Sequence, residues 1–202
     1  LQFLKKYRVV HADLKPENIL VRDDPGNQRW VICDFGISFI EGQRSQQNIV
    51  TPWYRAPETY LGGSRTCSLD MWAMGCIFFE MWHRKPLFGV TEDGDLFQEL
   101  TKYFDIPPNY DAICPKVSKF FRYEWKEKKL SFRTISHKSG ENDFWLNSLI
   151  RRMLDVNPMN RLTPTSALER FGHQPQKQIV RKRKGGFSGC HKSAWKRPRS
   201  VC

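Results

Sequence analysis

The apolar positions of this chain fall into blocks separated by polar, irregular stretches. The densest block is 68–82, where eleven of fifteen residues are apolar or Cys. They surround the helical axis instead of forming a stripe, which predicts a helix buried on all sides, with Ser68 as a plausible cap. Residues 93–104 and 143–154 show a one-sided helical pattern with acidic starts, and each predicts an amphipathic helix. Thr163 can cap a last short helix that has Pro164 at its first position. At the other end, residues 1–7 read as the end of a helix with Leu1, Leu4 and Tyr7 on one face. The runs 19–21 and 30–33 are apolar or β-branched, and the turn formers of 23–27 separate them, so they predict a hairpin. Residues 8–18 are polar and loop-like. The stretch 36–57 has little periodicity, and its length favours a functional loop. Residues 107–140 are irregular and alternate basic with aromatic side chains.

Composition narrows the class. The 202 residues are 40% hydrophobic and 13% aromatic, enough for a real core and against full-length disorder. The longest uncharged apolar run, 71–79, is too short to span a bilayer, and residues 1–6 lack the layout of a secretory signal. The net charge of +12 first suggests a nucleic-acid binder. It is unevenly spread, however. Residues 172–202 hold nine Lys or Arg and no acid, while the other 171 carry 24 basic and 21 acidic side chains, a net of +3. The body is therefore nearly balanced and carries a basic tail. The six cysteines show no Cys-x-x-Cys pair and no zinc-like spacing. Cys33 and Cys76 read as small buried hydrophobes, which suggests a reducing compartment.

The candidate chemistry begins at His11-Ala12-Asp13-Leu14-Lys15-Pro16-Glu17-Asn18, followed by Asp34-Phe35-Gly36 and then Ala56-Pro57-Glu58. Taken in order, these segments resemble the signature set of a eukaryotic-type protein kinase. The resemblance covers residues 1–171 and implies a mainly α fold. That fold is a kinase C-terminal lobe with a short β-hairpin at the catalytic cleft. It implies ATP and Mg²⁺ as cofactors and a protein substrate. Asp34 and Asn18 would be the metal ligands, both hard oxygen donors, and they would serve cofactor binding together with Leu20 as the apolar floor under adenine. Asp13 would orient the substrate hydroxyl, Lys15 would neutralise charge on the moving phosphoryl group, and Thr51 is grouped with them as catalytic. Lys15 at its position resembles serine/threonine kinases. Glu58 is expected to pair with Arg161, and Asp70 to hold the catalytic-loop backbone.

Thr51-Pro52-Trp53-Tyr54-Arg55-Ala56-Pro57-Glu58 and the segment Leu69 to Met81 resemble the group of cyclin-dependent, mitogen-activated and dual-specificity tyrosine-regulated kinases. That group generally acts on Ser or Thr before Pro. Residues 107–140 would be its insert, read either as a docking surface for a regulatory protein or as a solvated loop. Two departures stand out. Ala12 replaces the usual Arg, and Gln46 and Asn48 stand where relatives are phosphorylated. Together they imply a loop held without phosphate at those positions, with Ser45 the nearest acceptor.

No Gly-rich phosphate loop and no Val-Ala-Ile-Lys strand occur in the 202 residues, so the N-lobe is read as absent from this chain and its own activity as slight. The rival reading is a non-catalytic, kinase-like interaction module. The tail, 172–202, is expected to be disordered. Its clusters 181–184 and 196–199 resemble a bipartite import signal, and Phe187 and Trp195 could stack on nucleic-acid bases. An import receptor or nucleic acid are therefore the partners considered for the tail. No membrane is expected, and the location is nucleus, cytoplasm or both.

Overall fold

The computed structural model describes residues 1–24, 27–43, 51–90, 92–106, 110–116 and 141–172. In chain order the elements are α1 (Gln2–Lys6), β1 (Val9–Val10), a 3-10 turn (Pro16–Asn18), β2 (Ile19–Asp24), β3 (Asn27–Ile32), β4 (Phe39–Ile40), a second 3-10 turn (Pro52–Tyr54), α2 (Pro57–Leu61), α3 (Ser68–His83), α4 (Asp93–Tyr103), α5 (Tyr110–Ile113), α6 (Glu141–Met153) and α7 (Pro164–Phe171). The architecture is mainly helical with two small antiparallel sheets, β1 with β4 and β2 with β3. Among the described residues no helix is long and apolar enough to cross a membrane.

Helix α3 is the axis of the core. Leu69, Met71, Trp72, Ala73, Cys76, Ile77 and Phe79 are buried around its circumference, as a helix without a polar face requires. Trp72 stacks on Phe88 at 6.0 Å and meets Phe104 at 5.6 Å, which brings α4 and the preceding loop onto the helix. Gly75 lets α6 approach closely, since a Cβ there would lie 2.8 Å from Leu154. The burial ends before the helix does, because Met81 and Trp82 in the last turn are about half exposed. The N-cap is Cys67, not Ser68. The Thr66 hydroxyl accepts the Ser68 N–H instead, at 3.3 Å.

Helix α7 starts as expected, with Thr163 Oγ1 accepting the Ser166 N–H at 3.2 Å and Pro164 at the first position. The hairpin also forms, but its strands are longer than the apolar runs. The register extends to Asp24↔Asn27, so most of the expected turn belongs to the ladder, and 25–26 lie outside the described residues. In α1, Tyr7 is exposed and packs on Phe3 at 4.7 Å, while Leu1 reaches the core. The expected common face of Leu1, Leu4 and Tyr7 is thus broken at Tyr7. Cys33 is only half buried, unlike Cys76. It ends the hairpin beside the loop 11–18, where its thiol meets the Asn18 carbonyl at 3.5 Å. The short pair β1–β4, with Val10 opposite Phe39, arises inside stretches that read as loops. Of the segment 107–140, residues 110–116 are described and include α5. The rest of that segment, the positions 44–50 with Ser45, Gln46 and Asn48, and the tail 173–202 lie outside the described residues.

Candidate active site

The loop 11–18 runs from β1 to β2 and is held from below by α3. Asp70 lies in the first turn of that helix and is almost fully buried. Its two carboxylate oxygens accept the backbone N–H groups of His11 at 2.9 Å and Ala12 at 3.0 Å. Burial pushes the Asp70 carboxyl above the ordinary carboxylate range, and the two N–H donors pull against it. Pinning the backbone here forces Ala12 into the left-handed region, φ 68°. Such torsions cost about 1–3 kcal/mol and persist only where the surroundings over-determine them.

His11 is fully buried beneath the loop. Its Nδ1 accepts the Asp13 N–H at 3.3 Å, so Nε2 carries the proton and donates to the Cys33 carbonyl at 3.0 Å. Its ring meets Phe35 edge-on at 4.7 Å. One side chain thereby joins the loop carrying Asp13 to the turn carrying Asp34.

Asp13 is the centre of a hydrogen-bonded cluster. Lys15 Nζ donates to Oδ2 at 2.7 Å, and the Thr51 hydroxyl donates to Oδ1 at 3.1 Å. Lys15 also reaches Thr51 Oγ1 at 3.4 Å. The Asn18 amide nitrogen donates to the Asp13 carbonyl at 2.8 Å and to Oδ2 at 3.3 Å. With its nitrogen committed to Asp13, Asn18 has its amide oxygen left to offer a cation. Asp34 joins this group through the backbone, because the adjacent Cys33 N–H donates to the Asn18 carbonyl at 2.9 Å. Asp34 is exposed, has φ 67°, and accepts the Gly36 N–H on Oδ1 at 3.3 Å. Leu20 is half exposed on β2 opposite Val31 and adds an apolar surface two residues beyond Asn18.

The structure thus brings Asp13, Lys15, Asn18 and Thr51 into direct contact, and attaches Asp34 and Leu20 through the hairpin. Among the described residues there is no cluster of three or more His, Cys, Asp or Glu suited to a metal. Asn18 and Asp34 instead offer two hard oxygen ligands. That set fits Mg²⁺, which is usually bound by one or two carboxylates with waters and substrate phosphates filling the rest. The sequence assigns no separate role to His11, Phe35 or Ser38. His11 and Phe35 lie inside the two motifs, while Ser38 lies two residues beyond Gly36 and its signal is tertiary.

The wall beside this cluster is anchored by a buried ion pair. Arg161 Nη1 and Nη2 donate to Glu58 Oε1 and Oε2 at 2.6 and 3.0 Å, and both side chains are fully buried. The Arg161 Nε–H donates to the Asp155 carbonyl, Nη1 also donates to the Ser68 carbonyl, and the guanidinium lies over Trp72. The segment between Thr51 and Glu58 is also tied to α3, where the Tyr54 hydroxyl donates to Glu80 at 2.5 Å.

A family model described as "Protein kinase domain" matches residues 1–171. Among curated proteins the chain is similar to the mitogen-activated protein kinase HOG1B of Wallemia ichthyophaga. The two are 34% identical over 172 residues, covering 83% of this chain and 45% of the relative. It is 35% identical to the mitogen-activated protein kinase HOG1 of Ustilaginoidea virens, covering 83% and 46%. It is 34% identical to cyclin-dependent kinase 4 of Rattus norvegicus, covering 84% and 54%. The chain spans about half the length of the curated relatives it matches.

Proposed function

Because this chain belongs to the protein kinase family, and within it to the group of mitogen-activated and cyclin-dependent kinases, we propose that it carries the loop side of a serine/threonine kinase active site. The reaction is transfer of the ATP γ-phosphoryl group to a protein hydroxyl. The observation that carries this reading is the Asp13–Lys15–Thr51–Asn18 cluster. A carboxylate is held there by an ammonium, a hydroxyl and an amide in one preorganised network. Phosphoryl transfer asks a protein mainly for positioning and charge stabilisation, and such a network supplies both.

Asp13 accepts the hydrogen bond of the incoming hydroxyl and orients its oxygen toward phosphorus. Lys15 is 2.7 Å from that carboxylate and balances negative charge on the transferring group. Thr51 fixes the Asp13 rotamer from the side of the substrate loop. Asn18 and Asp34 would hold Mg²⁺, which neutralises the phosphate oxygens when it is bound with ATP. Leu20 presents apolar surface to the adenine. In this reading 1–171 is one C-terminal lobe, and the Gly-rich loop and lysine strand that cover the phosphates are not among its residues. The 202-residue chain by itself therefore turns over slowly. Ala12, in place of an arginine, supports a substrate loop that works without phosphate at 46 or 48. Pro-directed substrates, a docking partner on 107–140 and nuclear import through 172–202 extend the same proposal.

The test is transfer from labelled ATP to Ser-Pro, Thr-Pro and Pro-free peptides. It is run with Mg²⁺ on this chain and on any longer product of the same gene, with Asp13→Asn and Asp34→Ala as controls. Slow transfer by the short chain, and faster transfer by a longer product that each substitution lowers at least about 100-fold, is the expected result. Transfer indifferent to both substitutions would refute the proposal, and so would no transfer by any product.

A further inference from the structure

The Asp34–Phe35–Gly36 turn is fastened to His11 on both flanks. On the entering side the Cys33 carbonyl accepts His11 Nε2–H at 3.0 Å. On the leaving side the Ser38 hydroxyl donates to the His11 carbonyl at 3.1 Å. Between these fastenings Asp34 holds its left-handed torsion, the Ser38 N–H closes the turn on the Phe35 carbonyl at 3.1 Å, and the Phe35 ring rests on the His11 ring. Pairing of β1 with β4 begins only at the next residue, Phe39 opposite Val10. A strained torsion at a non-glycine residue relaxes unless both neighbours are held. The entering flank is held by two hydrogen bonds to the Cys33 backbone and one from its thiol. The leaving flank has the Ser38 side chain as its first tie to the catalytic loop.

We infer that Ser38 is a positioning residue: its hydroxyl locks the Asp34 turn onto His11 and so sets where the Asp34 carboxylate stands relative to Asn18. The inference rests on the reading of Asp34 as a cation ligand. His11 is itself anchored, being buried and bound through its N–H to Asp70. The lock therefore refers the turn to the same rigid helix, α3, that positions Asp13. The contact comes from a side chain, so it can be removed without deleting any backbone group of the turn.

The experiment compares the full chain with Ser38→Ala and Ser38→Thr. One readout is amide hydrogen exchange by NMR, at residue 38 in the turn and at residue 72 in α3. The other is affinity for Mn²⁺ alone, with Asp34→Ala as the reference for loss of the site. The expected result is exchange at residue 38 about tenfold faster in Ser38→Ala, the scale of one lost hydrogen bond. Exchange at residue 72 should be unchanged and Mn²⁺ binding about three- to tenfold weaker, and Ser38→Thr should restore both. Unchanged exchange at residue 38, or an equal rise at 72, overturns the lock. Faster turn exchange with unaltered Mn²⁺ affinity overturns the positioning role. If Mn²⁺ binds the parent and Asp34→Ala alike, the metal reading of Asp34 fails and the positioning role falls with it, while the exchange comparison still decides whether the lock exists.

Discussion

Substituting Glu58 by Ala removes the carboxylate that both terminal nitrogens of Arg161 engage, at 2.6 and 3.0 Å. Neither side chain has any exposed surface, so water cannot replace the lost partner. Two weaker attachments survive, from Nε to the Asp155 carbonyl and from Nη1 to the Ser68 carbonyl. They satisfy donors but do not balance charge. Breaking one side of a buried pair costs about 3–5 kcal/mol, much of it the penalty for a stranded charge. At about 2–4 °C per kcal/mol for a domain of this size, the melting midpoint should fall by roughly 6–20 °C. Differential scanning calorimetry measures that directly, and urea unfolding gives the free energy independently. Replacing both residues by Met should recover part of the loss, because no charge is then stranded. The recovery stays partial because the guanidinium also serves two backbone carbonyls. A Glu58→Ala midpoint within about 1 °C of the parent, at an unchanged urea slope, would refute the reasoning.

Gly75→Ala sets two effects against each other. Ala gains about 1 kcal/mol in intrinsic helix propensity, but its Cβ would lie 2.8 Å from Leu154 Cγ and Cδ2. Overpacking of about 1–3 kcal/mol should win and lower the melting midpoint by a few degrees, so a raised midpoint would contradict the packing account. The buried thiols predict alkaline sensitivity. Burial, and then the neighbouring Glu41 carboxylate, push Cys67 up to about 12, and burial pushes Cys76 up as well. A folded-state thiol so raised keeps its proton where the unfolded chain, with thiols near 8.5, has lost it. Stability should therefore fall as pH rises from about 8.5 toward 12. Urea midpoints at pH 7.5 and 10 should show a smaller drop in Cys67→Ser/Cys76→Ala than in the parent, and equal drops would count against it.

Helix α3 was legible because its composition admits one solution: a segment apolar on every side has to lie inside. The expected roles of Asp13, Asn18 and Asp34 and the pairing of Glu58 with Arg161 rest on the kinase resemblance, whereas Asp70 also stands out by the cost of burying a lone carboxylate. The hairpin was legible only in outline. Asp23, Asp24 and Asn27 favour turns as isolated residues, but the ladder holds their backbone in strands β2 and β3. β1 and β4 are two residues each, too short for any period to register. His11 and Ser38 were illegible for a different reason. A histidine that opens a motif and a serine two residues past a glycine turn show no pattern that reveals their contacts, which arise only once Cys33 and His11 face each other across 22 residues of chain. The Tyr54–Glu80 bond was hidden in the same way.

The partners Glu58 and Arg161 stand 103 residues apart in the chain. During synthesis from the N-terminus, Glu58 is made long before Arg161, the partner it meets in the folded core. Until then it sits where burial would be costly, so the segment it belongs to has reason to stay open and hydrated. The packing of that wall onto the core therefore depends on a residue far down the chain. Truncation a few positions before 161 would leave a chain that retains the segments 11–18, 34–36 and 56–58, yet lacks the group that anchors Glu58 in the core.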